Sequence, residues 1–192
     1  MGNLLPSDID KSFLDVEEGY SNKFIYPGGN SGPTIGRGID IGNLDAATTT
    51  MLFEGVDQTT MSRIKTGYGL KRDQAKKWVD SNKDIVIQKT IIEKANESIL
   101  SKFWDKVTTR YVGISAAPSS VKTAVLSCCY NRGYANKELI PFIGLISTKN
   151  WKGIADLLWN MQQDHELRGI RKRRRREASL IYKELKVQVP RV

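Results

Sequence analysis

The stretch GGNSGPTIGRGIDIG, residues 28–42, constrains this chain more than any other. It holds six glycines in a region, residues 23–42, where helical spacing gives way to strand-like spacing. A strand pair with a turn puts those glycines to use. With the turn centred on Gly36-Arg37-Gly38, pairing runs symmetrically about Arg37. Ile35 then opposes Ile39, and Thr34 opposes Asp40. Three-residue hairpin loops are common and need glycine where φ is positive. Directly opposed residues point to one face and lie about 5 Å apart. A fully extended strand would instead hold Thr34 and Asp40 roughly 20 Å apart. The phosphate-binding readings of a glycine-rich loop fail on its details. No Lys-Ser or Lys-Thr follows, as a Walker loop needs. Gly38 has no glycine three residues on, and no βαβ unit surrounds it, as a dinucleotide fingerprint needs.

The remainder reads as helical, which makes the chain α+β, mainly α. A first helix is expected from Ser7, as N-cap, to about Glu18, with Asp10 in its first turn and Gly19 ending it. Ile9, Phe13 and Val16 would share its buried face. A short strand is expected at KFIYP, residues 23–27. Further helices are expected over 45–54 behind an Asp45 cap, 71–100 as one long or two shorter helices, and 118–133 stopping at Gly133. Three more are expected over 137–147, 150–161 and about 165–185. In the 118–133 helix Val121, Ala124, Val125 and Cys128 form one stripe. In the last, Arg174 interrupts the face made by Leu167, Ile170, Ala178, Ile181 and Leu185. An arginine there either snorkels or pairs with a buried acid.

No linker, repeat or low-complexity tract divides the 192 residues, and the length suits one domain, residues 1–192. The longest apolar runs are a handful of residues, against roughly 20 for a membrane span. The net charge is +9, concentrated in 168-RGIRKRRRRE-177. Such a surface favours polyanions such as nucleic acid, membrane headgroups or an anionic wall polymer. Cys128 and Cys129 are neighbours, a geometry that rarely bridges, and read as buried thiols. With one histidine, His165, and no cysteine cluster, no metal site is expected.

Glu18 at a helix end, and Thr34 and Asp40 on a hairpin above a glycine floor, would suit a sugar chain lying in a cleft. Glycoside cleavage needs one carboxylic acid to protonate the leaving oxygen and a second group to deliver the nucleophile. Here Glu18-Gly19, then Tyr-x-Pro, then G-x-S-G-x-T-I-G-x-G-x-D-x-G resembles the phage-lysozyme superfamily of muramidases, and most closely its pesticin-like branch. Two later segments agree: 125-VLSCCYNRG-133 and 169-GIRKRRRREASLIY-182, the second putting Arg173 and Arg174 on the family's Arg-Arg pair.

The resemblance implies a lysozyme-like fold, with a small antiparallel β-hairpin lobe at about 20–45 and a helical lobe at about 46–192 plus the first helix. A cleft would lie between them. It implies a peptidoglycan hydrolase that cuts the β-1,4 bond between N-acetylmuramic acid and N-acetylglucosamine, with no cofactor. Glu18 would be the general acid, Asp40 would position or deprotonate the attacking water, and Thr34 would hold that water. Arg174 would pair with Glu18 and fix its rotamer, and Asn131 would line the cleft. Many phage enzymes carry their second acid between the Glu and the Thr. Residues 19–33 contain no acid, so Asp40 must take that role. Inversion at the anomeric carbon would follow.

The N-terminus has no basic n-region followed by an apolar h-region. Together with the resemblance, this suits a phage endolysin made in the bacterial host cytoplasm without a signal peptide, and a bacteriocin or secreted-effector domain would share the same core. The endolysin would act, as a monomer, on peptidoglycan in the periplasm or wall. The basic last helix would draw it to anionic membrane or wall polymer, and nucleic acid is not expected as a partner.

Each residue also has a plainer reading. Glu17 competes with Glu18, Asp40 could cap a turn, and Thr34 could be an ordinary strand residue. Asn131 could be a helix C-cap, and His165 a surface residue or cap. The tryptophans Trp78, Trp104, Trp151 and Trp159 could be core. The alternative function is a non-enzymatic basic protein on a lysozyme-like fold, binding wall or nucleic acid.

Overall fold

The hairpin forms in the register its glycines require. In the computed structural model, which describes residues 5–190, Thr34 pairs with Asp40 and Ile35 with Ile39. The turn residues Gly36 and Gly38 have φ of 64° and 89°, a region that side-chain-bearing residues rarely adopt. The hairpin strands are β2 (Thr34–Gly36) and β3 (Ile39–Asp40), and β1 (Ser21–Ile25) completes an antiparallel sheet of order β1-β2-β3. β1 starts two residues earlier than expected and pairs with β2 through an irregular register, Ser21 with Gly36 and Ile25 with Thr34. Along its other edge, Lys23 bridges Val86 and the Ile87 amide donates to the Asn22 carbonyl at 3.0 Å.

So few strand residues cannot enclose a core alone, and helices complete it. The chain divides into two compact units, one being Glu18–Leu100. After the sheet come a 3-10 turn (Ile41–Asn43), α2 (Ala46–Leu52), α3 (Gln58–Lys65), α4 (Arg72–Ser81) and the beginning of α5 (Lys89–Arg110). Residues 71–100 thus supply two helices, the second running on to Arg110. Asp45 and Asp57 cap α2 and α3 by accepting from the Thr48 and Thr60 amides. Phe24, Ile35, Ile39 and Ile41 from the sheet region pack with Phe53, Ile64, Trp78 and Ile92. The Phe24 ring meets Trp78 edge-on at 5.2 Å. Trp78 is therefore core, and its indole N–H donates to Thr66 Oγ1 at 2.7 Å.

The other unit comprises the chain up to Glu17 and from Ser101 onward. It holds most of α1 (Lys11–Glu18), the end of α5, α6 (Ser119–Arg132), α7 (Pro141–Ser147), α8 (Trp151–Asn160) and α9 (Arg168–Glu184). α6 is buried on every side from Ser120 to Cys129 rather than along one stripe. Both α6 and α8 pack on α9. Trp104 is almost fully buried, and Trp151 and Trp159 are half-buried.

α1 departs from expectation at its start and on its face. It begins at Lys11, and Asp10 rather than Ser7 takes the capping role, its Oδ1 accepting from the Phe13 amide at 3.0 Å. The preceding residues are tied to α6 instead: Asp8 meets Lys122 Nζ at 2.5 Å and the Asp10 amide donates to Thr123 Oγ1 at 3.0 Å. Ile9 and Leu14 are buried and Phe13 is half-buried, but Val16 is 75% exposed, so the buried face takes in Leu14 and leaves out Val16. Gly19 ends the helix with φ of 71°. Among the described residues no helix is long and apolar enough to cross a membrane.

Two outcomes follow from this packing. A Cβ on Gly36 would fall 2.7 Å from Asn96 Oδ1 and 2.9 Å from Ile92 Cγ2, and Asn96 Oδ1 accepts from the Arg37 amide at 3.1 Å. Gly36→Ala should cost about 1–3 kcal/mol, read as a lowered urea midpoint; an unchanged midpoint would contradict the turn geometry. Cys128 and Cys129 are free and buried, and burial pushes the Cys129 thiol up to about 12 and Cys128 well above its ordinary value. A thiol-titrating disulfide reagent should label neither in the folded protein and both in denaturant.

Candidate functional site

Asp40 closes the hairpin and opens the next turn. Its backbone is extended, with φ −88° and ψ 98°, and its side chain caps the 3-10 turn by accepting from the Gly42 amide at 2.9 Å. The Gly32 amide lies 3.1 Å and 3.0 Å from its two oxygens, and Asn43 Nδ2 donates to Oδ2 at 2.6 Å. A Cβ on Gly32 would fall 2.4 Å from Asp40 Oδ1, and one on Gly42 would fall 2.3 Å from the Leu70 carbonyl. Gly32 must lack a Cβ for the carboxylate to reach its amide, and Gly42 must lack one to pass the Leu70 carbonyl. The plainer reading of Asp40 as a cap is thus realised. A carboxylate offers about four acceptor positions, however, and three donors leave room for one more.

Thr34 sits directly opposite Asp40, 6% exposed, and its hydroxyl donates to the Gly32 carbonyl at 3.0 Å. Gly32 is therefore held at both its polar groups, the amide by Asp40 and the carbonyl by Thr34. With its proton committed, the Thr34 oxygen can only accept. A water giving one proton to Thr34 and one to Asp40 would keep its lone pairs for an electrophile, the arrangement a general base needs.

Glu18 is the half-buried last residue of α1. Its neighbour Glu17 is held in an ion pair: Arg176 Nη2 donates to Glu17 Oε2 at 2.7 Å, and Arg173 Nη1 lies 3.4 Å from the Glu17 carbonyl. Successive helical residues point about 100° apart, so Glu18 faces a different direction from this pair.

Arg174 is fully buried and paired, not snorkelling. The acid it meets is Glu177 on its own helix, with Nη1 2.8 Å from Glu177 Oε2, while Nη2 donates to Asn131 Oδ1 at 2.9 Å. Glu177 Oε1 also accepts from Ser127 Oγ at 2.6 Å and from Arg173 Nε at 3.1 Å. Burial pushes the Glu177 carboxyl up, and the two guanidiniums pull against it. Asn131 belongs to this cluster. It is not the C-cap of α6, a place taken by Gly133 with φ of 83°. Glu177 had been given no role from sequence, although its place three residues after Arg174 puts both on one helical face.

The basic run is largely engaged. Arg173 and Arg174 are buried, Arg171 Nη1 donates to the His165 carbonyl, Arg175 lies over the Trp159 ring at 5.5 Å, and Arg176 holds Glu17. Arg168 and Lys172 are exposed. His165 Nδ1 accepts from the Leu167 amide at 3.1 Å, a local capping role. Among the described residues no group of three or more His, Cys, Asp or Glu could hold a metal ion. Removing the acid from the buried cluster, as in Glu177→Ala, would strand two guanidiniums. It should destabilise the fold by about 3–5 kcal/mol, measured by chemical denaturation; a loss below about 1 kcal/mol would be incompatible with an ionised cluster.

No curated protein matches the chain. The family model described as "Domain of unknown function (DUF8812)" matches residues 10–126, more than half of the chain. The match contains Glu18, Thr34 and Asp40 and ends before Asn131 and Arg174. The chain therefore belongs to the DUF8812 family.

Proposed function

We propose that this protein is a peptidoglycan hydrolase with a lysozyme-like fold, related to the pesticin-like branch of the phage-lysozyme superfamily. It would cleave the β-1,4 bond between N-acetylmuramic acid and N-acetylglucosamine. The observation that carries this reading is the hairpin register, which sets Thr34 opposite Asp40 and joins both to Gly32. In the proposed reaction Glu18 gives its proton to the glycosidic oxygen as the bond from C1 breaks. A water held by Thr34 adds to C1 from the opposite face and passes a proton to Asp40. The anomeric configuration inverts, as expected of an acid and a base working through water. No cofactor enters the balance.

Lysis of host cells by a phage is the setting in which such an enzyme, made in the bacterial cytoplasm as a monomer, would act on the wall. The competing reading, a non-enzymatic polyanion binder, leans on α9, and several of the arginines it needs are turned inward or paired. Arg173 in particular holds the fold and is unsuited to a surface-charge test. The exposed Arg168, Lys172 and Lys183 are the cations of α9 left for steering toward anionic walls.

Turbidity loss of purified peptidoglycan tests the proposal. Glu18→Gln and Asp40→Asn should each slow it by about 10²–10⁴-fold while the proteins stay folded. Mass analysis should find reducing muramic acid ends. Anhydro-muramic ends would make the enzyme a lytic transglycosylase, and undiminished lysis by Glu18→Gln would remove the assigned acid.

A further inference from the structure

Asp40 is held by more than its own hairpin. Residues 70–72, just before and at the start of α4, lie along both flanks of the loop that carries it. The Leu70 carbonyl occupies the space a Cβ on Gly42 would need. Lys71 Nζ donates to Asn43 Oδ1. The Arg72 amide donates to the Ser31 carbonyl at 3.2 Å, and its Nε donates to Asn30 Oδ1 at 3.0 Å. Arg72 adopts φ of 53° to do this. A side-chain-bearing residue keeps a left-handed backbone only where its surroundings over-determine it, and such strain gathers at functional sites.

The side chain of Asn43 is the link between this clamp and the acid. An amide can turn either its NH2 or its oxygen toward a neighbour, and the two ends differ little in shape. An ammonium group has donors only, so Lys71 can donate only to the amide oxygen. That choice turns the NH2 of Asn43 to Asp40 Oδ2, the 2.6 Å contact. Without the ammonium, the amide could rotate and set its oxygen against the carboxylate, a repulsive contact that would swing Asp40 off its bearing.

We infer that Lys71, acting through Asn43, is a positioning residue for Asp40: it selects the amide orientation that holds the carboxylate in line with Thr34. This rests on the hydrolase reading for its effect on catalysis, but the orientation itself does not. Arg72 serves the same end by pinning Asn30 and Ser31 beside Gly32, whose amide also grips the acid.

The test compares wild type, Asn43→Ala, Lys71→Met and Lys71→Arg. The hydrogen exchange of the Gly32 and Gly42 amides is followed by NMR, and kcat and KM are measured on soluble glycan strands. Thermal unfolding checks that each variant is folded. Asn43→Ala and Lys71→Met should speed exchange at both amides about tenfold or more, because a carboxylate that swings away releases them. They should lower kcat by about tenfold or more with KM within about twofold, since orientation of the base acts on the chemical step. Lys71→Arg supplies donors only and should restore most of both properties. Unaltered exchange at Gly32 and Gly42 in the two disrupting variants would overturn the inference. So would a raised KM at full kcat, or a Lys71→Arg protein no better than Lys71→Met. A wild type that cuts no glycan would instead sink the hydrolase reading, and amide exchange would then decide the positioning role alone.

Discussion

A carboxylate pressed against backbone amides is the contact on which the sheet region depends. Asp40 reaches the Gly32 amide because that residue carries no Cβ, and it also accepts from the Gly42 amide, where the Leu70 carbonyl leaves no room for a side chain. The loop from Gly28 to Pro33 is thereby folded back onto the hairpin without a strand of its own. Oriented amides fix the direction of the carboxylate's remaining acceptor position, and the Thr34 hydroxyl, committed to the Gly32 carbonyl, is fixed with it. In the proposed reaction, preorganisation of this kind would remove the reorientation that free side chains undergo.

The other unit solves a different problem. α6 is surrounded, so its polar Ser127 must find partners inside, and it finds them in Glu177 and Arg173 on α9. Two guanidiniums and one carboxylate then share the interior, with Asn131 accepting from Arg174. Replacing such a cluster with apolar groups can be neutral or stabilising, so what it contributes here is register rather than strength. A helix bearing arginines on several sides can dock on α6 in few ways, because most rotations would strand a charge.

How far the sequence could be read depended on range. The hairpin was legible to the residue, since Gly36 and Gly38 dictate the turn and the turn dictates that Thr34 faces Asp40. The Asp45 cap and the stop at Gly133 were legible for the same reason: one residue type satisfies one local demand. The start of α1 was not, because Ser7 and Asp10 are both good caps, and what chose between them was the attachment of Asp8 to Lys122, more than a hundred positions away. The helix over 58–65 went unmarked although Asp57 heads it. Its apolar content is thin, with Met61 and Ile64 as the buried residues. In the candidate site, the residue types and the opposing pair could be read in advance. The Asn43 and Lys71 contacts could not, because they depend on where α4 lands. For Arg174 the pattern allowed either snorkelling or a buried acid, and the acid it meets is Glu177, three residues on in its own helix, rather than Glu18.

The short sheet has one more property. Its β3 edge is two residues long, and its β1 edge is already engaged by the chain around Val86 and Ile87. Among the described residues, neither border presents the long, flat, unpaired ladder on which a foreign strand could grow. Crowded copies of this protein thus have little means of recruiting one another edge to edge through this sheet.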